Sequence, residues 1–540
     1  MSHPAPTQPP LDALVVGAGF AGLALVQRLR GMGLNVQVLE AGGDVGGTWF
    51  WNRYPGCRCD VESLEYSYAF SAELQQDWTW TERYATQPEI LAYARHVAER
   101  FDLRRDIRFH TRVNALRWDE PSATWTAHTT AGDTLHARVV LMATGVLSAS
   151  RTPEFEGLQQ FQGGQWHTAR WPERGVDLAG QRVAVVGVGS SGVQAIPLIA
   201  QQAAQLHVLM RTPNYVVPAR NALLSAETVR EAKACYPQRR QQALRYRGGV
   251  LLDVGPQSAL QATPQELERG FEARWQRGGA FAFQSAFNDI QTHVQANRLA
   301  SDFLRRKIGQ IVHDPATAAA LQPQHLLGTR RLCVGSDYFE TYNRPHVELV
   351  DLRQLPLQCF TAQGVRVGQG AAAREIALDA VVFATGFDAM TGALTAVHIE
   401  GEQGRTLQQH WAAGPRSHLG LMVAGFPNLF TVTGPGSPAV LSNVIVSIEH
   451  HVGWIADALA HLRQRGQRVM RTSAEAEAAW VDHVAELGRA SLISGGESWY
   501  LGANVPGKPR VLMPYVGGVP AYQQRCAEVA ARGYAGFEFA

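Results

Sequence analysis

Residues 12–22 read DALVVGAGFAG and decide the fold of the first part of the chain. An apolar run leads into Gly17, Gly19 and Gly22, and the LALVQRLRGMG that follows has the apolar spacing of an amphipathic helix. The first glycine permits a tight turn, the second lets the backbone approach a pyrophosphate, and the third allows close helix–strand packing. The next apolar run, VQVLE, ends in Glu40, whose carboxylate suits a ribose diol. The stretch therefore predicts a dinucleotide-binding fold.

The same pattern returns in RVAVVGVGSSG at residues 182–192. The apolar run that follows it, LHVLM, leads to Arg211, where the first unit has Glu40. An arginine cannot accept hydrogen bonds from a ribose diol, but it pairs well with a 2′-phosphate. We therefore predict FAD in the first unit and NADPH in the second, with a solvated charge at the strand end as the alternative interpretation of Arg211.

Two apolar runs that end in Ala-Thr-Gly, VVLMATG at 139–145 and AVVFATGFD at 380–388, flank the second unit and indicate where the chain crosses between domains. We expect an α/β protein with two Rossmann-like dinucleotide-binding domains, the NADPH domain inserted in the FAD domain, and a helical insertion that caps the active site. The expected boundaries are a disordered tail over 1–10, the FAD domain over 11–145 and 381–540, the linker and NADPH domain over 146–221 and 328–380, and the helical insertion over 222–327.

The bulk composition excludes several function classes. A net charge of +2 over 540 residues gives no indication of a nucleic-acid partner. No apolar run reaches the length of a spanning helix, and MSHPAPTQPP lacks the apolar stretch of a signal peptide, so we expect a cytoplasmic protein without a membrane partner. Of six cysteines only Cys57 and Cys59 are close in sequence, so no metal site is predicted and reduced thiols are expected.

The stretch FQGGQWHTARWP, residues 161–172, follows neither helical nor strand periodicity and predicts a loop. It also resembles the fingerprint FxGxxxHxxxWP of the type I Baeyer–Villiger monooxygenases. GGTWFWNRYPGCRCD at 46–60 and SWYLGANVPGKPR at 498–510 are similar to further motifs of that family, and the resemblance covers about residues 11–515. The matching fingerprint residues are Phe161, Gly163, His167, Trp171 and Pro172.

The resemblance implies the chemistry. Such an enzyme reduces FAD with NADPH, captures O2 as a flavin 4a-peroxide, and converts a ketone to an ester or lactone, with sulfoxidation as a side activity. The fingerprint is implied to act as a hinge loop whose His167 orients the chain and does not transfer protons. The ketone and O2 are the expected partners, while the identity of the ketone and the oligomeric state stay open.

The resemblance also assigns residues to the site. In GTRRLCVGSDYFETYNR, 328–344, it implies that Arg331 is the catalytic arginine and that Arg330 joins Arg211 on the 2′-phosphate. Asp60 is implied to pair with Arg331, Trp499 to close over the nicotinamide ribose, and Pro438, Ala439, Val440 and Leu441 to shape the ketone pocket. The cofactor contacts expected from motif and resemblance together are Gly17, Gly19, Gly22, Glu40, Thr48, Trp49, Trp51, Asp60, Tyr66, Gly187, Gly189, Ser190, Ser191, Gly192, Arg211, Thr212, Arg330 and Trp499.

Three alternatives stay open at this point. Flavin monooxygenases that act on amine or sulfide atoms share the peroxide chemistry, although the HxxxWP stretch and the Arg330–Arg331 pair favour the ketone reaction. Flavin disulfide reductases also have two dinucleotide domains, but one residue between Cys57 and Cys59 makes a strained disulfide ring. A flavin-binding sensor without activity would be expected to lack the NADPH site or the arginine.

Overall fold

The computed structural model describes residues 9–151 and 154–540, so most of the tail expected to be disordered lies outside the described residues. The strands are β1 (Leu11–Val16), β2 (Val36–Leu39), β3 (Ile107–Arg108), β4 (Val113–Asp119), β5 (Thr124–Thr129), β6 (Thr134–Met142), β7 (Gly164–His167), β8 (Arg182–Val186), β9 (Gln205–Met210), β10 (Val216–Pro218), β11 (Cys333–Gly335), β12 (Val347–Asp351), β13 (Leu357–Thr361), β14 (Gly364–Val367), β15 (Arg374–Ala377), β16 (Ala380–Phe383), β17 (His398–Glu400), β18 (Leu429–Thr431), β19 (Met470–Thr472) and β20 (Phe537–Phe539).

The described chain contains helices throughout, including those of the insertion. They are α1 (Phe20–Gly31), α2 (Thr48–Trp51), α3 (Ala72–Asp77), α4 (Gln87–Arg100), α5 (Ser190–Ile199), α6 (Ala226–Ala234), α7 (Tyr236–Ala243), α8 (Pro264–Arg277), α9 (Ala280–Gln284), α10 (Val294–Ile311), α11 (Pro315–Leu321), α12 (Tyr338–Thr341), α13 (Gly392–Thr395), α14 (Leu407–His410), α15 (Val444–Gln464), α16 (Ala474–Arg489) and α17 (Val519–Ala531). Within the described residues, no helix is both long and apolar enough to span a membrane.

The first sheet is a parallel Rossmann-like sheet with an antiparallel extension. Its strands run in the order β17-β4-β5-β6-β1-β2-β3, and β1 lies parallel between β2 and β6. The long strand β6 pairs with β5 through its first half and with β18 through its second half. Strand β18 is far along the chain, so the C-terminal part of the protein completes the sheet that the N-terminal part begins.

The second sheet is wholly parallel, with the order β12-β9-β8-β16-β7. Because parallel strands need crossover connections, this order is typical of a doubly wound nucleotide-binding fold. Strand β16 pairs with β8, so the second sheet extends to Phe383, three residues beyond the boundary at residue 380 suggested by the sequence. The fold class expected from the two glycine motifs is therefore present, with α/β architecture in both sheets.

The two glycine turns have the same geometry, which explains why their spacing is the same. Gly17 and Gly187 both have a φ of +105°, which favours glycine over residues with a side chain. A Cβ on Gly22 would lie 1.9 Å from the carbonyl oxygen of Gly17, and one on Gly192 would lie 2.2 Å from that of Gly187. The third glycine of each motif therefore lets the helix start directly against the turn.

The helical insertion leaves and rejoins the second domain at one parallel strand pair. Strand β10 ends just before it, strand β11 begins just after it, and Val216 pairs with Cys333. Helices α6 to α11 occupy residues 226–321, in agreement with the helical composition of this stretch. The pairing places the arginines at 330 and 331 at the exit of the insertion.

The expectation that residues 161–172 form a loop is wrong for their central part. Gly164–His167 form β7, an edge strand that pairs in parallel with β16, and Thr168–Arg170 form a short 3₁₀ turn. The pairing is possible because Gly163 carries no side chain: a Cβ there would lie 2.4 Å from the carbonyl oxygen of Asp379. A neighbouring strand supplies hydrogen bonds that the local pattern could not reveal.

Candidate active site

An arginine and an aspartate from distant parts of the chain form a two-point ion pair at the centre of the site. Arg331 Nε donates to one carboxylate oxygen of Asp60 at 2.7 Å, and Nη2 donates to the other at 2.7 Å. Nη1 of Arg331 donates to the carbonyl oxygen of Val440 at 2.8 Å. A guanidinium has five N–H groups, so two remain for another ligand. The side chains of Arg331 and Asp60 are 27% and 22% exposed, so protein atoms do not close the pair off.

The surroundings of Arg331 keep it charged. Burial alone would lower its pKa, but the Asp60 carboxylate outweighs burial and raises the pKa above its ordinary value. The phenol of Tyr500 also lies beside Arg331, and burial raises the pKa of Tyr500 to about 12 although the Arg331 charge opposes this. The charged guanidinium of Arg331 and the protonated phenol of Tyr500 therefore lie side by side.

The wall next to Arg331 is apolar. Ala439 and Val440 belong to a buried cluster that also contains Tyr500 and Met513. Pro438 precedes the 3₁₀ turn Ala439–Leu441, which offers the Val440 carbonyl to Arg331. Leu441 and Trp499 are partly buried against the same cluster. The turn that carries the four residues expected to shape the substrate pocket therefore contacts the arginine through Val440. The ring centroids of Trp499 and Tyr500 are 4.3 Å apart.

A cavity beside Asp60 is lined in part by the helical insertion. Residues 250–252 and 279–282 of the insertion line it together with Asp60 and Glu65. The carboxylate of Glu65 accepts the backbone N–H of Leu251 at 2.7 Å and so attaches one of these insertion loops to the first domain. The insertion therefore contributes walls to a cavity that borders Asp60, and its role as a cap over the active site stays a prediction.

The first glycine turn fits a dinucleotide phosphate. Helix α1 has Gly19 at its N-cap and no side-chain cap, so backbone N–H groups of its first turn are available to an anion. A Cβ on Gly47 would lie 2.8 Å from the Cα of Gly19, so the backbones of Gly19 and Gly47 pack against each other with no room for a side chain. This arrangement suits the close approach of a pyrophosphate such as that of FAD.

Other residues expected to contact FAD surround this turn. The Glu40 carboxylate is buried and accepts the backbone N–H groups of Ala18 at 2.7 Å and Gly42 at 2.6 Å, so it lies at the end of β2 facing the glycine turn. Thr48 begins α2, and the buried Trp49 donates its indole N–H to the Tyr66 hydroxyl at 3.1 Å. Trp51 is 38% exposed and lies at the end of α2.

The second glycine turn also leads into an uncapped helix, and two arginines of the same domain lie close to each other. Helix α5 begins with Ser190 and Ser191 after an N-cap Gly189, again without a side-chain cap, and open space lies in front of the Gly189 Cα. Arg211 is exposed at the end of β9, with Thr212 next to it. Burial and then the charge of Arg211 lower the pKa of Arg330, so the two arginines lie close together. Adjacent cations fit a dianionic ligand.

The fingerprint residues attach the linker to the second sheet. The N–H of Ala169 donates to Nδ1 of His167 at 3.0 Å, so the proton of the neutral ring is on Nε2, which donates to the Arg151 carbonyl at 3.0 Å. Burial lowers the pKa of His167 and favours this neutral form. Phe161 and Trp171 are buried, while Pro172 is partly exposed.

The two neighbouring cysteines lack the low-pKa thiolate expected of a redox pair. Cys57 and Cys59 are buried and free. Burial raises the pKa of Cys57 to about 12 and also raises the pKa of Cys59, so both stay as thiols. Thiols in this state are poor nucleophiles, which disfavours the disulfide reductase alternative.

Sequence reasoning missed two residues of the site. Tyr500 follows the predicted Trp499, and only its position beside Arg331 in the fold distinguishes it from a core tyrosine. Gln194 lies two residues after the second glycine motif, and its contacts run to a segment 136 residues away in sequence. No local pattern reports a contact of that range.

Comparisons with known proteins agree over almost the whole chain. Residues 14–242 match the family model described as pyridine nucleotide-disulphide oxidoreductase. A Baeyer–Villiger monooxygenase of Pseudooceanicola batsensis is 42% identical over 97% of this chain and 95% of its own length. The oxidised steroid monooxygenase bound to NADP is 49% identical with a TM-score of 0.93, covering 98% of this chain and 99% of that one. The crystal structure of OTEMO with FAD and NADP is 35% identical with a TM-score of 0.94, covering 99% and 100%.

Proposed function

Since this chain belongs to the type I Baeyer–Villiger monooxygenases, it oxidises a ketone to an ester or lactone with FAD, NADPH and O2, and we propose that Arg331, held by Asp60, is its catalytic residue. The two-point contact between Arg331 and Asp60 carries the proposal. When bound, FAD reduced by NADPH supplies the electrons and activates the oxygen atom that is inserted beside the carbonyl carbon.

Arg331 stabilises the negative charge that develops on the carbonyl oxygen of the ketone. Its guanidinium cannot lose its proton at any working pH, so it holds that charge without protonating the reacting oxygen. Asp60 fixes the plane of the guanidinium through two hydrogen bonds, and the Val440 carbonyl fixes it through a third. The two remaining N–H groups are the ones offered to the reactants.

We assign FAD to the first glycine turn and NADPH to the second. The uncapped start of α1 would hold the FAD pyrophosphate, Glu40 would accept hydrogen bonds from its ribose, and Trp49 and Tyr66 would contact the flavin. The uncapped start of α5 holds the NADPH pyrophosphate through Ser190 and Ser191. Arg211 and Arg330 hold the 2′-phosphate, and their proximity supports that role because two like charges gain from a shared anion.

Trp499 and the fingerprint have positioning roles. Trp499, which packs against Tyr500, would contact the nicotinamide ribose of bound NADPH. His167 orients the linker as a neutral donor to the Arg151 carbonyl, which supports the structural role over proton transfer. Ala439, Val440 and Leu441 give the ketone site an apolar wall, so we expect the groups flanking the carbonyl of the substrate to be apolar.

Replacement of Arg331 tests the central assignment. We expect Arg331→Ala to keep FAD and to be reduced by NADPH, but to form ester at least about 100-fold more slowly, the usual effect of removing an oxyanion donor. Flavin reduction is followed anaerobically by its absorbance, and the ester is quantified by gas chromatography with a panel of ketones. Arg306→Ala, which removes an exposed arginine of the insertion, serves as the matched control. Ester formation by Arg331→Ala at a rate near that of this control would remove Arg331 from the mechanism.

A further inference from the structure

We propose that Gln194 is a positioning residue that joins the NADPH-binding helix α5 to the segment carrying Asp60, so that nucleotide binding and the Arg331–Asp60 pair are mechanically coupled. The inference rests on the proposed roles of Arg331 and Asp60. It concerns a side chain that no glycine motif or family fingerprint includes.

The side chain of Gln194 uses both ends of its amide on the first domain. Its oxygen accepts the Tyr54 hydroxyl at 2.8 Å and the backbone N–H of Arg58 at 3.4 Å, and its nitrogen donates to the Arg58 carbonyl at 3.1 Å. The donor and acceptor of one backbone residue are therefore bound by one side chain. Asp60 follows Arg58 by two residues, so the amide holds the backbone from which the catalytic carboxylate extends.

The backbone of the same segment packs directly on α5. A Cβ on Gly56 would lie 2.3 Å from the carbonyl oxygen of Gln194 and 3.3 Å from the side chain of Leu198. Gly56 also has a φ of +80°, so the turn at 54–58 is shaped to the surface of the helix. Tyr54, Cys57 and Val61 share one buried apolar cluster with Val183 and other residues of the second domain. The contact is therefore close-packed as well as hydrogen-bonded.

The segment that carries Arg331 also contacts α5. The Ser190 hydroxyl lies 3.5 Å from the Cys333 sulfur, two residues after Arg331. A Cβ on Gly335 would lie 2.9 Å from the Val193 side chain, so β11 also approaches α5 without room for a side chain. The segments of Asp60 and Arg331 are thus both fixed to α5 within its first two turns.

Through helix α5, this geometry couples the nucleotide-binding site to the Arg331–Asp60 pair. The first turn of α5 carries the N–H groups and serines that face the nucleotide phosphates, and Gln194 lies one turn further along. Binding of the dinucleotide orders that first turn and, through Gln194 and Ser190, the two segments that hold the ion pair. Since a two-point carboxylate–guanidinium contact requires precise alignment, small shifts of α5 change how Arg331 is presented.

The test replaces Gln194 by Met, which has a similar length but no donor or acceptor. We expect Gln194→Met to bind NADP⁺ about fivefold more weakly or worse, since it loses three hydrogen bonds across the contact. We also expect more hydrogen peroxide and less ester to form for each NADPH that is oxidised. NADP⁺ binding is measured by calorimetry on the FAD-loaded protein, and Gln201→Met, an exposed glutamine just beyond α5, is the matched control.

A second variant keeps the test decisive if the first fails to fold. Tyr54→Phe removes only the hydroxyl that Gln194 accepts, and we expect the same two changes at smaller size, with no further loss when it is combined with Gln194→Met. Wild-type values for both readouts in Tyr54→Phe, or equal effects in Gln201→Met, would overturn the inference. Ester formation by Arg331→Ala at a rate near that of the Arg306→Ala control would instead overturn the proposed role of Arg331, and the NADP⁺ binding of Gln194→Met would still distinguish the two failures.

Discussion

Removal of Arg211 is expected to abolish most of the preference of this enzyme for NADPH over NADH. Arg211 stands exposed at the end of β9, and its charge contributes with burial to the lowered pKa of Arg330. Glu497 partly offsets that repulsion. A 2′-phosphate placed between the arginines would replace repulsion by two attractions, whereas NADH offers no such group. The perturbation therefore separates the two cofactors.

The size of the effect follows from the exposure of Arg211. A hydrogen bond to a charged group contributes about 1.5–3 kcal/mol, which corresponds to roughly 10- to 150-fold in binding. Water and salt weaken the interaction of an exposed arginine, and loss of Arg211 also relieves the repulsion on Arg330. We therefore expect the lower end, about a tenfold drop of kcat/KM for NADPH in Arg211→Ala, with less than about a twofold change for NADH.

The assay is anaerobic flavin reduction measured at increasing concentrations of each cofactor. Raising the ionic strength should shrink the difference between wild type and Arg211→Ala, because the interaction that is lost is electrostatic. Arg245→Ala removes an exposed arginine of the insertion and controls for net charge. An equal loss with NADPH and NADH, or the same loss in Arg245→Ala, would refute the assignment of Arg211 to the phosphate.

Two further predictions concern buried groups. Hydrogen bonds from His410 and the Ala424 N–H lower the pKa of Glu477 below its ordinary 4.5 despite burial, so its stabilisation is present above pH 4.5 and lost as the pH falls through the lowered value. Glu477→Gln should thus reduce the free energy of unfolding by about 1–3 kcal/mol at pH 7, and urea titrations that give the same difference at pH 3.5 would contradict this. Replacement of both Cys57 and Cys59 by Ala should leave NADPH-dependent flavin reduction intact, because their raised pKa values keep them as inert thiols; loss of reduction would favour disulfide chemistry.

The parts of the fold that could be predicted from the sequence are those that local rules determine. The glycine turns were predictable because Gly17 and Gly187 need positive φ and Gly22 and Gly192 need backbone contact, and both requirements operate within six residues. The pairing of Arg331 with Asp60 was a different case. It joins residues 271 positions apart, and only the family resemblance predicted it.

The parts that could not be predicted depend on partners far along the chain. The periodicity of residues 161–172 indicates a loop, yet pairing with β16 makes Gly164–His167 a strand. Likewise, the sequence around Gln194 predicts only an ordinary helix residue, because its partners Tyr54 and Arg58 are far away along the chain. In both cases the decisive hydrogen bonds cross between elements whose order in space no local pattern specifies.

The fingerprint also constrains where the two sheets can move relative to each other. His167 bonds the Arg151 carbonyl, and the hydroxyl of Thr385 donates to the same carbonyl at 3.0 Å, so residue 151 is fixed to the second sheet. The two chain crossings then run side by side: Asp388 donates its backbone N–H to Ala149 and Met390 donates to Val146, each at 2.9 Å. We therefore expect a hinge of the kind that the family resemblance predicts to bend within this paired crossing, between residue 151 and the end of β6. In that prediction the fingerprint forms the fixed edge of the hinge, and its buried aromatic rings and neutral histidine suit a fixed edge better than a flexible loop.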